Sequence, residues 1–267
     1  MTDAPPARPE GPAAAGLSCD SWLGGRLILA QPLRGHRVGT DAALLAAAAD
    51  IVEGRLVDVG TGVGAVGIAM LSRHERASAD LVEVDAALAG IAADNVKRNS
   101  LCERARVAQA DIFDARARRA AGLADEAADL VVTNPPYFEP GAVRASPDDR
   151  KARAHVFAGA LRGAGLADWI RACVALLRPG GRFAMIHRPD ALAAILAAAE
   201  TRLGALALSP IHPRAGAPAH RLIVSGVKGS KAPLKIAPAL VLHAPDGRLT
   251  PEADAIHRGE RLIDWGA

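Results

Sequence analysis

Leu56-Val57-Asp58-Val59-Gly60-Thr61-Gly62-Val63-Gly64 is the stretch on which the fold turns. Its first four residues read as a short buried strand. Glycines at alternate positions then let the backbone turn tightly and approach a bound molecule closely. A helix follows over 65–73, so strand, glycine turn and helix form one unit. Outward from there the same unit recurs. Strands are expected over 80–84, 106–108, 129–133 and 182–187, and helices over 86–99, 168–177 and 191–203. Such alternation gives a parallel sheet with right-handed crossovers and helices on both faces. The segments 205–211 and 221–227 break the pattern, because only the turn-rich run from Pro213 to Pro218 separates them. They read as an antiparallel pair. The expected fold is α/β and Rossmann-like: a mostly parallel, seven-stranded sheet ending in an antiparallel strand pair. Ahead of it, Thr40 or Asp41 is placed to cap a helix over 42–49.

The 267 residues are half apolar but only 3% aromatic, so the core is aliphatic and each aromatic residue is informative. One domain over 19–267 is expected, behind a Pro- and Ala-rich tail over 1–18 that lacks signal-peptide order and is expected to be disordered. No apolar run is long enough for a membrane span. Cys19, Cys102 and Cys173 show no metal-ligand spacing and suit reduced thiols in the cytoplasm. A net charge of +3 is compatible with a nucleic-acid partner and demonstrates none.

In an open α/β sheet, ligands lie at the carboxyl ends of the strands. Three acids fall there in succession. Asp58 precedes Gly60, Gly62 and Gly64; Glu83 ends the second strand, where a carboxylate can take both hydroxyls of a ribose; Asp111 follows the third, where it can accept from an adenine amino group. Gly62-Val63-Gly64-Ala65-Val66-Gly67 also fits the dinucleotide fingerprint, with Glu83 about twenty residues on. A nicotinamide enzyme therefore stands beside a methyltransferase at this point. Asp58 favours the latter, since a carboxylate there suits the cationic methionine end of S-adenosylmethionine.

Asn134-Pro135-Pro136-Tyr137 follows the fourth strand directly. Two prolines cannot continue a strand or enter a helix interior, so the chain makes a rigid extended turn. The turn presents the Asn134 side-chain oxygen and the Pro135 carbonyl as paired acceptors for an NH2 group. A planar exocyclic nitrogen is a poor nucleophile, and acceptors that favour its increasingly positive form act where charge develops. The donor is already a sulfonium, so the chemistry requires no metal. Tyr137, the only tyrosine, can stack on a target base.

Together the glycine loop and Asn134-Pro135-Pro136-Tyr137 resemble the N6-adenine group of class I methyltransferases. Three further stretches narrow the resemblance to the bacterial tRNA(Val) adenine-37 N6-methyltransferases: Gly35 through Ala46, Lys151-Ala152-Arg153-Ala154-His155, and Pro218 through Leu234. The resemblance implies that Asp58, Gly60 and Gly62 belong to the cofactor loop, Glu83 to the ribose and Asp111 to the cofactor's adenine. It places Asn134 and Tyr137 in the catalytic motif and Thr40 and Asp41 on a segment flanking the cofactor.

Such an enzyme needs basic groups around its catalytic mouth. Arg144, Arg150, Lys151 and Arg153 follow the motif in an irregular loop expected to order on RNA. A second basic cluster comprises Arg221, Lys228, Lys231 and Lys235. His155 reads as incidental. Other chemistries weighed are methylation of a protein glutamine amide, which usually comes with a separate helical domain ahead of the glycine loop, and of guanine N2. A non-catalytic RNA-binding protein keeping the fold is a further alternative, disfavoured by the intact acidic positions.

Overall fold

The computed structural model describes residues 16–35, 37–136 and 165–266. Tyr137 and the loop residues Arg144, Arg150, Lys151 and Arg153 lie outside these, as does nearly all of the N-terminal tail.

The chain opens with a hairpin of β1 (Leu17–Trp22) and β2 (Leu27–Pro32), which sequence patterning left unassigned and whose first residues had been placed in the tail. Helix α1 (Thr40–Ala48) follows. The βα units comprise β3 (Glu53–Val59), α2 (Ala65–Leu71), β4 (Arg76–Glu83), α3 (Ala86–Arg98), β5 (Ala105–Gln109), α4 (Ala115–Ala120) and β6 (Ala128–Thr133). Beyond come α5 (Leu166–Leu176), β7 (Leu177–His187), a 3-10 turn, α6 (Leu192–Ala199), β8 (Leu203–Arg214) and β9 (Arg221–Lys228). Two short strands, β10 (Lys235–Ile236) and β11 (Leu240–His243), and helix α7 (Pro251–His257) complete the described chain.

Local chemistry explains several boundaries. Asp85 caps α3 by accepting from the Ala87 and Leu88 amides, and Asp114 caps α4 likewise. Lys97 and Arg98 occupy the last turn of α3, where cations suit the helix dipole. One expected boundary moves. Pro179-Gly180-Gly181 does not close the helix; α5 already ends at Leu176, and β7 runs through these residues with an irregular register against β6. The cap of α1 differs too. Gly39, which has no side chain to cap with, holds the cap position, and Asp41 in the first turn pairs with the guanidinium of Arg221.

The large sheet runs β5-β4-β3-β6-β7-β9-β8, with β10 and β11 both paired to β8. Strands β3 to β7 are parallel, and β9 is antiparallel to β7 and β8. The seven expected strands and the antiparallel pair are present, and β10 and β11 extend the β8 edge. Strand order reverses between β4 and β6, the two neighbours of β3, which puts a ligand crevice at the end of β3. Alternate residues feed two cores, as in parallel strands buried on both faces. Leu130, Val132, Ala184 and Ile186 face α1 and α2. Val131, Phe183 and Met185 face α5 and α6. Among the described residues no helix is long and apolar enough to cross a membrane.

Candidate active site

Registers across the sheet set the site. Val59 pairs with Val82 and Thr133, Glu83 with Gln109, and Thr133 with Met185. Strands β3 and β6 thus end side by side, Val59 against Thr133, and the glycine loop and Asn134 leave from these adjacent ends. The glycine loop and the Asn-Pro-Pro corner are immediate neighbours.

The loop is held from below. Gly60, Gly62 and Gly64 have φ of 71°, 58° and 90°, the left-handed region that glycine tolerates. The amides of Gly60 and Thr61 both donate to the Val82 carbonyl, at 2.9 and 3.0 Å. Asp58 is buried under the loop, where its Oδ2 accepts from Thr61 Oγ1 at 2.6 Å and from the Gly67 amide at 2.9 Å. Burial pushes its pKa up to about 6, against the two hydrogen bonds that favour the carboxylate. The Thr61 and Gly67 bonds make Asp58 a brace for the loop as well as a negative charge beneath it.

Glu83 is also buried, and burial raises its pKa despite three amide donors. Its Oε2 accepts from Gly62 at 2.9 Å, and its Oε1 from Val84 at 2.8 Å and Asp85 at 3.0 Å. A carboxylate has about four lone-pair sites, so capacity is left for hydroxyls. Asp111, two residues past β5, turns Oδ1 back to the Phe113 amide at 2.9 Å.

Gly67 is the third glycine of the fingerprint, and its use here is packing. A Cβ there would lie 2.2 Å from Leu81 Cδ2. Gly67→Ala is expected to destabilise the protein by about 1–3 kcal/mol, the range for overpacked cores, read as a lowered midpoint in urea. An unchanged midpoint would show that α2 shifts off β4 without cost.

Four residues around the site escape sequence patterning. Asn95 on α3 is fully buried; its Oδ1 accepts from the Ala30 amide at 2.7 Å, and its Nδ2 donates to the Ala30 and Val63 carbonyls, both at 2.9 Å. It thus ties the N-terminal hairpin to the glycine loop. Asn99, one turn on, clasps Ile28 in the same way. Four residues of helix rise about 6 Å and two of strand about 6.6 Å, so the spacing matches. Thr133 donates to the Val59 carbonyl at 2.8 Å and accepts from Trp169 Nε1 at 2.9 Å. The Trp169 ring lies beneath Gly60, where a Cβ would meet it at 3.1 Å, and edge-on to Phe113 with centroids 5.7 Å apart. Trp169 could have been singled out, as one of three tryptophans in an aromatic-poor chain.

The second basic cluster is divided by the fold. Arg221 stands at the carboxyl end, ion-paired with Asp41 at 2.8 Å. Lys228 lies seven residues along β9, about 23 Å away, and donates to the Leu177 carbonyl at the amino end of β7. Lys231 follows it in the chain, and Lys235 donates to the Gly266 carbonyl. These lysines do not border the crevice. Nor do two concavities of about 400 and 280 Å³, which lie along α6 and at the end of α1.

Comparison with known proteins agrees with this geometry. The profile of the family described as "Methyltransferase small domain" matches residues 36–150. A tRNA1(Val) (adenine(37)-N6)-methyltransferase of Enterobacter sp. is 36% identical over 119 residues, 44% of this chain and 46% of the relative. That alignment spans about half the relative's length; the counterpart from Musicola paradisiaca is 31% identical over 212 residues, 78% of this chain and 81% of the relative. Among solved structures, a predicted O-methyltransferase from Agrobacterium tumefaciens is 33% identical, with a TM-score of 0.69 over 84% of this chain and 98% of that one. TYW2 of M. jannaschii in complex with AdoMet, 14% identical, shares the fold at a TM-score of 0.51 over 80% of this chain and 85% of that one. By the extent of the Musicola match, the chain belongs to the tRNA1(Val) (adenine(37)-N6)-methyltransferase family.

Proposed function

We propose that the protein transfers the methyl group of S-adenosylmethionine to the exocyclic N6 of an adenine in tRNA, A37 of tRNA(Val) by family. The observation that supports this reading is the register that pairs Val59 with Thr133, so that the glycine loop and Asn134 follow adjacent strand ends.

The residues fit the cofactor. Gly62 has nothing within 4 Å of where its Cβ would stand, leaving room for a ligand against the loop. Asp58 and Glu83 are buried carboxylates with raised pKa values, which a cationic, hydroxyl-rich ligand would relieve. In this reading Asp58 faces the methionine end across the loop, Glu83 takes the ribose and Asp111 the adenine, with Thr40 and Asp41 flanking. Bound there, S-adenosylmethionine supplies a methyl group on a sulfonium, a leaving group that needs no activation.

The chain's own task is to prepare the nitrogen. Asn134 Oδ1 and the Pro135 carbonyl accept its two hydrogens, with Pro136 stiffening the corner and Tyr137 stacking on the base. With the donor bound, methyl transfer would leave the nitrogen positive, the two acceptors would tighten on its hydrogens, and one proton would then pass to solvent. Arg144, Arg150, Lys151 and Arg153 hold phosphates beside the motif. Replacing Arg150, Lys151 and Arg153 together with Ala is expected to weaken tRNA binding and lower its salt slope by up to about three. Affinity for S-adenosylhomocysteine is expected to stay constant. Unchanged tRNA retention on filters would remove the loop from this scheme.

The name of the Agrobacterium structure favours a second reading, transfer to oxygen. Incubation with labelled S-adenosylmethionine and tRNA lacking the modification, followed by digestion to nucleosides, separates the two. N6-methyladenosine supports the proposal, whereas label confined to an O-methylated nucleoside supports the alternative.

A further inference from the structure

The β8–β9 hairpin rises past the level of the catalytic corner. Thr133, the last residue of β6, pairs with Met185, which pairs with Val224, itself paired with Leu208. Thr133 is thus level with Leu208, and β8 continues six residues beyond it to Arg214, about 20 Å past the end of β6. The tip is set by the Ala217 amide, which donates to the Arg214 carbonyl at 3.2 Å, and by Gly216 at a φ of 77°.

This wall presents a cation at its tip. Arg214 is exposed and has no carboxylate partner among the described residues. Three histidines surround it, each anchored through Nδ1 to a backbone carbonyl: His212 to Ala217 at 2.6 Å, His220 to Ile211 at 3.1 Å and His243 to Pro213 at 3.0 Å. A carbonyl only accepts, so Nδ1 carries the hydrogen in all three. Nε2 is the ring nitrogen left for a further partner in each. The carboxylates near the wall are matched by cations already, Asp41 by Arg221 and Asp246 by Arg248.

We propose that the overhanging tip of the β8–β9 hairpin, with Arg214, His212, His220 and His243, is a docking surface for the phosphate backbone of the tRNA strand flanking the target adenine. The inference rests on the proposed tRNA substrate. It also replaces Lys228 and Lys231, which lie toward the opposite end of the sheet. An RNA strand is the occupant that fits, because a polyanion whose base enters at Asn134 must carry its neighbouring phosphates over this wall.

The test is filter binding of unmodified tRNA over a range of salt, with S-adenosylhomocysteine calorimetry as a check on folding. Arg214→Glu is expected to weaken tRNA binding about tenfold and lower the salt slope by about one. The paired change His220→Gln/His243→Gln is expected to weaken it several-fold, and Lys231→Glu to leave it unchanged. Cofactor-analogue affinity is expected to hold in every variant. If wild-type protein binds tRNA and Arg214→Glu binds it equally well, or Lys231→Glu weakens it more, the docking surface is wrong. If wild-type protein binds the analogue but no tRNA, the substrate proposal itself falls.

Discussion

Replacing Asn134 by Ala is expected to lower turnover about a hundredfold or more, the loss that follows removal of one transition-state acceptor. Affinity for S-adenosylhomocysteine should barely change. The separation of effects follows from position. Asn134 is one residue beyond β6, whose last residue pairs with the residue just before the glycine loop, and no bond that braces the loop comes from it among the described residues. The bonds that hold the loop come instead from Asp58, Glu83, Asn95 and the Val82 carbonyl. An Asn134→Asp variant sharpens the measurement, since it keeps an acceptor while adding a charge beside the donor site. Turnover in Asn134→Ala within a few-fold of wild type, measured on saturating tRNA, would show that the amino group is held elsewhere.

Glu83→Ala is expected to show the reverse pattern. The buried carboxylate accepts from the amides of Gly62, Val84 and Asp85, and its loss strands three donors around the crevice. Each unsatisfied buried donor costs on the order of 1–3 kcal/mol, and the proposed ribose contacts are lost as well. A fall in cofactor affinity of about a hundredfold corresponds to about 2.7 kcal/mol, within that range. The KM for S-adenosylmethionine should rise while turnover at saturation changes little. A variant with normal KM and low turnover would remove Glu83 from the ribose role.

Much of this site is readable from local sequence because its parts are local. Asp58 through Gly64, Glu83, Asp111 and Asn134 each sit at the end of a strand whose aliphatic run marks it, and the α/β alternation puts those ends together. What escaped depends on contacts between distant segments. Asn95 looks like any polar residue on a helix until β2 is found beside it, 65 positions earlier in the chain. The β1–β2 hairpin itself, with a single acid and mixed polarity in β1, gives a weak strand signal. Trp169 sits in an apolar helical run where a core role suffices, and only its bond to Thr133 places it under the loop. Arg221 and Lys228 are close in sequence but stand at opposite ends of one strand, because extended backbone spends about 3.3 Å on every residue. Strands β10 and β11 are too short for periodicity to register.

The most direct measurement is a structure of the protein with S-adenosylhomocysteine bound. The account predicts the ligand in the crevice at the end of β3, its ribose hydroxyls on Glu83 and its sulfur facing the Asn134 side chain and the Pro135 carbonyl. A ligand bound away from that crevice, or an Asn134 side chain turned from the sulfur with the amino-group grip unformed, would contradict it.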